Sequence, residues 1–143
     1  MPDLRVRLRL EIYRHWTETG RAPLASELST ALDQEVDSAL DDLAAAHTIV
    51  FERGSKQIRM AHPFSAVPTP YAVYSEGISY WANCAWDSLG IAAMLGRDTE
   101  APAVCAASGA PVDLGIRDAK VRGEGVVHLL VPARHFWDDI VFT

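Results

Sequence analysis

Cysteine is scarce in this chain: Cys84 and Cys105 are the only two among 143 residues. They do not form a CxxC pair, and two thiols cannot build a disulfide framework of the kind that holds small secreted domains together. Basic charge is also short, with 13 Lys and Arg against 19 Asp and Glu and a net charge of -6. Residues 1–62 carry 8 basic and 10 acidic groups, so neither end of the chain offers the strong basic face that binding to nucleic-acid phosphates requires. No apolar run approaches the roughly 20 residues that span a bilayer. The opening stretch Met1–Trp16 is interrupted by arginines and has no signal-peptide core. Histidines do not fall in H-x-x-x-H or H-E-x-x-H spacing, and there is no internal repeat or low-complexity tract. These absences describe a cytoplasmic chain with reduced thiols, without membrane or nucleic-acid partners. Hydrophobic residues at 49% and charged residues at 22% place it among folded globules of one compact domain, or two small lobes sharing a core.

The first third reads as helices followed by a hairpin. Leu4, Leu8, Ile12 and Trp16 recur every four residues on one helix face, and Gly20 and Pro23 stop that helix. A short second helix is expected over Leu24–Leu32. Asp33 is the expected N-cap of a third, from about Gln34 to His47, with Val36, Leu40, Leu43 and Ala44 as its apolar stripe. Apolar residues at 49–51 and at 58 and 60, across a loop holding Gly54, predict a β-hairpin. Three helices and a hairpin form the order of a winged helix. The third helix carries Asp33, Glu35, Asp37, Asp41 and Asp42, which repels a phosphate backbone, so a packing or dimerising role, as in a homodimer, is expected of this lobe.

The predicted organisation is therefore α+β. A winged-helix-like lobe over 1–62 is followed by a proline-rich surface connector over 63–70 and a small mixed α/β domain over 71–143. In the last, strands are expected over 71–74 and 78–81, then a helix from about Asn83 to Leu95 ending at Gly96. Further strands are expected over 103–106 and 111–116. The strongest strand pattern is the apolar run Val126–Val131, broken only by His128.

The residues with most chemistry lie in Trp81-Ala82-Asn83-Cys84-Ala85-Trp86-Asp87. Cys84 and Asp87, spaced i, i+3, share one helix face. In the first turn the free N–H groups and the helix dipole favour a thiolate. A nearby carboxylate works the other way, but when protonated it can donate a proton. A soft nucleophile beside a proton donor suits thiolate attack with protonation of a leaving group. It also suits capture of a soft metal ion, with Cys84 and Asp87 as the ligands. Taken alone, the pair reads first as a small buried hydrophobe beside a helix-capping carboxylate. Cys105, before the turn Ser108-Gly109, is expected to be a buried structural thiol. His128 is expected to be a core or edge histidine, and His135, near Trp137 and Asp138, could line a site.

Two of these motifs resemble those of the organomercurial (alkylmercury) lyases. Cys84-Ala85-Trp86-Asp87-Ser88-Leu89, running on to Leu95-Gly96-Arg97, is similar to the family's Cys-x-x-Asp helix ending in Gly-Arg. Cys105-Ala106-Ala107-Ser108-Gly109-Ala110-Pro111 is similar to its Cys-Ala-Ala-Thr/Ser-Gly-x-Pro motif. The resemblance is good over about residues 78–118 and extends to the flanking lobes in order and character. It implies a winged-helix-like lobe before a small catalytic domain. It also implies a small-molecule mercurial as substrate, no cofactor, Cys84 as the group that attacks mercury, and Asp87 as the donor of a proton to the departing carbon. Cys105 corresponds to a cysteine usually read as structural. The family's second catalytic cysteine would fall at or just past Phe142-Thr143, and no cysteine follows Cys105. The expectation is thus a lyase-like protein, short or lacking a tail. The alternatives are a non-catalytic thiol protein that binds a soft metal or small molecule through Cys84, and a winged-helix regulator.

Overall fold

The computed structural model describes all residues, 1–143. Helix α1 (Leu4–Thr19) starts where the Asp3 carboxylate accepts the Arg5 backbone N–H at 2.8 Å. It buries the expected face, with Leu8, Ile12 and Trp16 fully enclosed. It ends at Gly20, whose φ of 76° belongs to the left-handed region; a β-carbon there would collide with the Ser79 carbonyl oxygen. Helices α2 (Ala25–Leu32) and α3 (Asp37–Ala45) follow, burying Leu28 and then Ala39, Leu40 and Leu43.

Asp33 corrects one expectation. It closes α2 in a left-handed conformation, φ 50° and ψ 45°, and does not open α3. The third helix begins three residues later than expected, after Val36, which is itself buried. Aspartate tolerates the left-handed region better than most side chains, so one residue type serves either helix end.

The strands build a single antiparallel sheet. β1 (Val50–Phe51) and β2 (Ile58–Ala61) form the predicted hairpin. Within the segment expected to run over the surface, Phe64 and Ser65 form a buried strand, β3, which pairs with β2 on one side. β4 (Ala72–Ser75) and β5 (Ile78–Ala82) form the next hairpin, and β3 pairs with β5 through Phe64↔Ala82 and Ser65↔Trp81. Helix α4 (Ala85–Leu95) leads into β6 (Thr99–Val104), β7 (Pro111–Arg117) and β8 (Lys120–Arg122). The strand order is β1-β2-β3-β5-β4-β6-β7-β8. The chain is an α+β protein in which one sheet runs from the N-terminal hairpin to the C-terminal strands.

One hydrophobic core serves all of it. Leu8, Ile12 and Trp16 from α1 meet Phe64, Val73 and Tyr80 from the sheet and Ile91 from α4. Phe64 is the hinge of this packing. Its ring stacks on Trp16 at 5.5 Å and 17°, and lies against Tyr80 at 5.7 Å and Tyr13 at 6.3 Å. Tyr80 spends its hydroxyl on the Thr17 carbonyl at 2.5 Å, and Arg97 donates to the same hydroxyl at 3.2 Å.

The apolar run Val126–Val131 is not a strand. β8 stops at Arg122, Gly123 turns away with φ 100°, and no strand of the chain pairs with the run, so Val126 and Leu130 stand 94% and 87% exposed. Apolar patterning marks a segment fit for pairing, but a strand needs a neighbour to accept its backbone hydrogen bonds. The expected strand at 103–106 also moves: β6 begins at Thr99 and Cys105 already lies in the turn.

Phe64→Ala removes a fully buried ring and three aromatic contacts. It should lower unfolding free energy by about 3–5 kcal/mol, measured by urea denaturation. The alanine variant of the half-exposed Tyr74, in the same sheet, should change it by less than about 1 kcal/mol.

Candidate active site

The site forms where β5 hands the chain to α4. Cys84 has an extended backbone, φ -150° and ψ 178°, and is the N-cap of α4, one residue earlier than the first-turn position expected for it. Its Sγ accepts the Asp87 backbone N–H at 3.4 Å, taking the role usually filled by a hydroxyl or carboxylate. Asp87 therefore stands in the first helical turn on the same face, as the i, i+3 spacing predicts. Both residues are half-buried.

Asn83 ties this corner to the core strand. Its backbone N–H donates to the Pro63 carbonyl at 3.2 Å, and its side-chain amide donates to the Phe64 carbonyl at 3.1 Å. The amide oxygen of Asn83 is buried without a partner. Gly90 leaves room for Pro63, whose side chain would lie 3.2 Å from a β-carbon at that position. The His62 carbonyl accepts the Tyr13 hydroxyl at 2.8 Å, so residues 62–64 are held by α1 on one side and pressed on α4 on the other.

Burial decides the protonation of the pair. Desolvation pushes the Cys84 thiol above its usual range, and the Asp87 charge pushes it further the same way. The N–H groups of Asp87 and Trp86 pull it down, but less than burial raises it. The dipole argument thus has the expected sign and is outweighed. Asp87 is likewise raised, chiefly by burial, against smaller opposing contributions from His62, Asn83 and Cys84. The Asp87 charge disfavours a thiolate at Cys84, whereas the Cys84 hydrogen bond favours the Asp87 carboxylate.

Cys105 behaves in the opposite way. It is half-exposed, in the turn after β6, where its backbone N–H donates to Ala110 and its carbonyl accepts from Gly109, both at 2.8 Å. Hydrogen bonds from the Ser108 hydroxyl and from the Ser108 and Ala107 N–H groups pull its thiol below the usual range. This corrects the expectation of an enclosed thiol. Both cysteines are free.

His128 lies exposed on the unpaired segment 126–131, outside any core. His135 pairs with Asp138 at 2.8 Å in the exposed C-terminal turn. Neither belongs to the Cys84–Asp87 corner by contact. The histidine nearest to it along the hydrogen-bonded backbone is His62, next to Pro63, whose carbonyl accepts the Asn83 N–H. It is 25 positions from Asp87 in sequence, and no spacing rule could have marked it. Concavities of 380 and 330 Å³ lie around Met94, Leu95 and Arg97 and around Ala92, Ala93 and Gly96. They are lined by the second half of α4, from Leu89 onward, and neither is lined by Cys84 or Asp87. No three His, Cys, Asp or Glu side chains gather into a ready metal cage.

A half-buried thiol sharing a helix turn with a half-buried carboxyl, on an antiparallel α+β scaffold, is the arrangement of a thiol protein with an acidic group at its sulfur. The family profile of alkylmercury lyase, MerB, matches residues 64–143, which include β3, the whole corner and Cys105. The chain belongs to the alkylmercury lyase family. It is similar to the solved structure of the mercury-bound form of MerB2, with 26% identity and a TM-score of 0.69. That likeness covers 85% of this chain and 60% of the MerB2 chain, so the chain spans less than two thirds of that relative. No curated protein matches. No helix is long and apolar enough to cross a membrane.

A raised thiol holds less thiolate at a given pH than a lowered one. Iodoacetamide labelling followed by peptide mass spectrometry should therefore show Cys105 reaching half-maximal rate at lower pH than Cys84. Asp87→Asn removes the charge that raises Cys84 and should move the Cys84 profile to lower pH while leaving that of Cys105 in place.

Proposed function

We propose that this chain carries out the chemistry of an organomercurial lyase, protonolytic cleavage of a carbon–mercury bond, with Cys84 as nucleophile and mercury ligand and Asp87 as proton donor and second ligand. The observation that carries the reading is the shared helix turn: Sγ of Cys84 and the Asp87 backbone lie 3.4 Å apart, and both side chains are held toward their neutral forms.

The reaction uses a protonated thiol beside a carboxylate whose proton affinity burial has raised. A mercurial R–Hg–X is an electrophile that sulfur binds more strongly than oxygen does. Cys84 bonds to mercury and gives up its proton, which a carboxylate at Asp87 can hold and, once protonated, return to the carbon of R. The electron pair of the C–Hg bond becomes the new C–H bond, RH departs, and mercury stays on sulfur with its X ligand. The thiol proton becomes the hydrocarbon proton, so no external acid is consumed. After the transfer Asp87 is a carboxylate beside a cationic metal, an arrangement that favours coordination. The half-buried corner keeps bulk water from competing as donor, and general-acid assistance of this kind is worth on the order of 10²–10⁴ in rate. The membership in the alkylmercury lyase family and the likeness to a mercury-bound relative support this reading.

A second reading rests on the enclosure of Cys84, which holds its thiol toward the protonated form. A chain of this kind could capture a mercurial or another soft ligand without cleaving it. Two free thiols suit the reducing cytoplasm under either reading.

Incubation with phenylmercuric acetate separates them. The lyase reading expects benzene in the headspace and a mercury adduct on Cys84 by mass spectrometry. Cys84→Ser should lose both. Asp87→Asn should keep the adduct and lose benzene release by about 10²-fold or more. Adduct without benzene from the parent chain would leave only capture, and an undiminished adduct in Cys84→Ser would overturn the assignment of the site.

A further inference from the structure

Trp137 comes back from the C-terminal segment onto the body of the molecule. After a single 3-10 turn at Ala133–His135, its indole lies flat on the His47 ring, with centroids 4.0 Å apart and planes 7° from parallel. The same indole meets the His62 ring at 5.7 Å and 58°. His62 is anchored through its carbonyl to Tyr13 and precedes Pro63, whose carbonyl accepts the backbone N–H of Asn83, the neighbour of Cys84. Three rings from distant parts of the sequence therefore gather at the segment 62–64, which is hydrogen-bonded to Asn83 at the start of the Cys84 helix. His47 supports the indole from behind, yet Trp137 is still 40% exposed. A large aromatic surface is held in place at the edge of a site whose substrate must carry an organic group.

We propose that Trp137, backed by His47 and flanked by His62, is the wall against which the organic group of a ligand on Cys84 rests, and that it sets a preference for aryl over short alkyl groups. This assignment takes from the function proposed above that Cys84 is the point of attachment; it does not need the cleavage step. Aromatic rings gain from offset or edge contacts beyond the area they bury, whereas a methyl group offers no π-face. The histidines leave the wall polar enough to stay open in water, and the indole presents the broad apolar face.

The test compares aryl and alkyl reagents at the same sulfur in the full chain. N-phenylmaleimide and N-ethylmaleimide both add Cys84 sulfur across their double bond, and phenylmercuric acetate and methylmercury chloride both metallate it. The readout is the ratio of aryl to alkyl rate at Cys84, by peptide mass spectrometry, normalised to the same ratio at Cys105. Trp137→Ala should lower that ratio by about 3- to 10-fold, with alkyl rates within about twofold of the parent. Trp137→Phe should retain most of the preference. His47→Ala, which removes the support and leaves the indole, should lower the ratio by a smaller factor; it is the check should Trp137→Ala prove poorly folded by circular dichroism. Equal loss of aryl and alkyl rates, or an unchanged ratio in both Trp137→Ala and His47→Ala, overturns the wall. The two proposals fail separately. A Trp137-dependent ratio with maleimides but no hydrocarbon from mercurials keeps the wall and ends the lyase reading; hydrocarbon release with a Trp137-independent ratio does the reverse.

Discussion

The packing of Phe64 between Trp16 and Tyr80 is the contact on which the rest of the molecule depends. It sits on the shortest of strands, two residues long, yet that strand is the only link in the sheet between the N-terminal hairpin and β5. The ring is fully buried, a contribution of about 1.5–3 kcal/mol before its aromatic contacts are counted. The backbone of the same residue does separate work. Its carbonyl accepts the Asn83 amide and so fixes the point at which α4 begins. Core packing and site placement thus meet in one residue. The pair Cys84–Asp87 is held in position from the α1 side, through Tyr13, His62 and Phe64, as much as by its own helix.

At that position two forces act on the thiol in opposite directions, and their relative size determines the chemistry. The helix N-terminus offers N–H groups that stabilise a thiolate. Enclosure and a neighbouring carboxyl oppose it and prevail. The consequence is a thiol that holds its proton more firmly than an open one, beside a carboxyl with raised proton affinity. A strongly thiophilic metal displaces that proton by exchanging an S–H bond for an S–metal bond. Other electrophiles meet less thiolate at Cys84 than at Cys105. Cys105, in an open turn lined with donors, has the reverse character. One chain therefore carries a guarded thiol and an open one, and counting cysteines alone would have treated them as equivalent.

Much of this was legible in the sequence wherever the determining contacts are local. The four-residue spacing from Leu4 to Trp16 and the stop at Gly20 are both realised in α1, and the loops at Gly54 and Gly77 are realised as hairpins. The Cys84–Asp87 spacing placed both groups on one helix turn. What stayed hidden depends on partners far away in sequence. Phe64 lies among prolines that suggest a surface path, and only its pairing with β5 buries it. The run Val126–Val131 displays strand composition, but composition does not provide the neighbouring strand. Asp33 suits both ends of a helix, and the distance between α2 and α3 decided which. His62, 25 positions from Asp87, comes to the corner because the β2–β3 turn places its neighbour Pro63 on the Asn83 N–H. The sign of the dipole effect on Cys84 followed from its place at a helix start, whereas the depth of its burial did not.

The central claim is that Cys84 and Asp87 act as one unit on a ligand bound to sulfur. A crystal structure of the full chain soaked with a mercurial tests this most directly. The account predicts mercury on Cys84 Sγ, with an Asp87 carboxylate oxygen turned toward the metal or its carbon and Cys105 Sγ outside that coordination. Mercury bound at Cys105 with Cys84 left unmodified, or mercury on Cys84 with Asp87 directed away from it, would contradict the account.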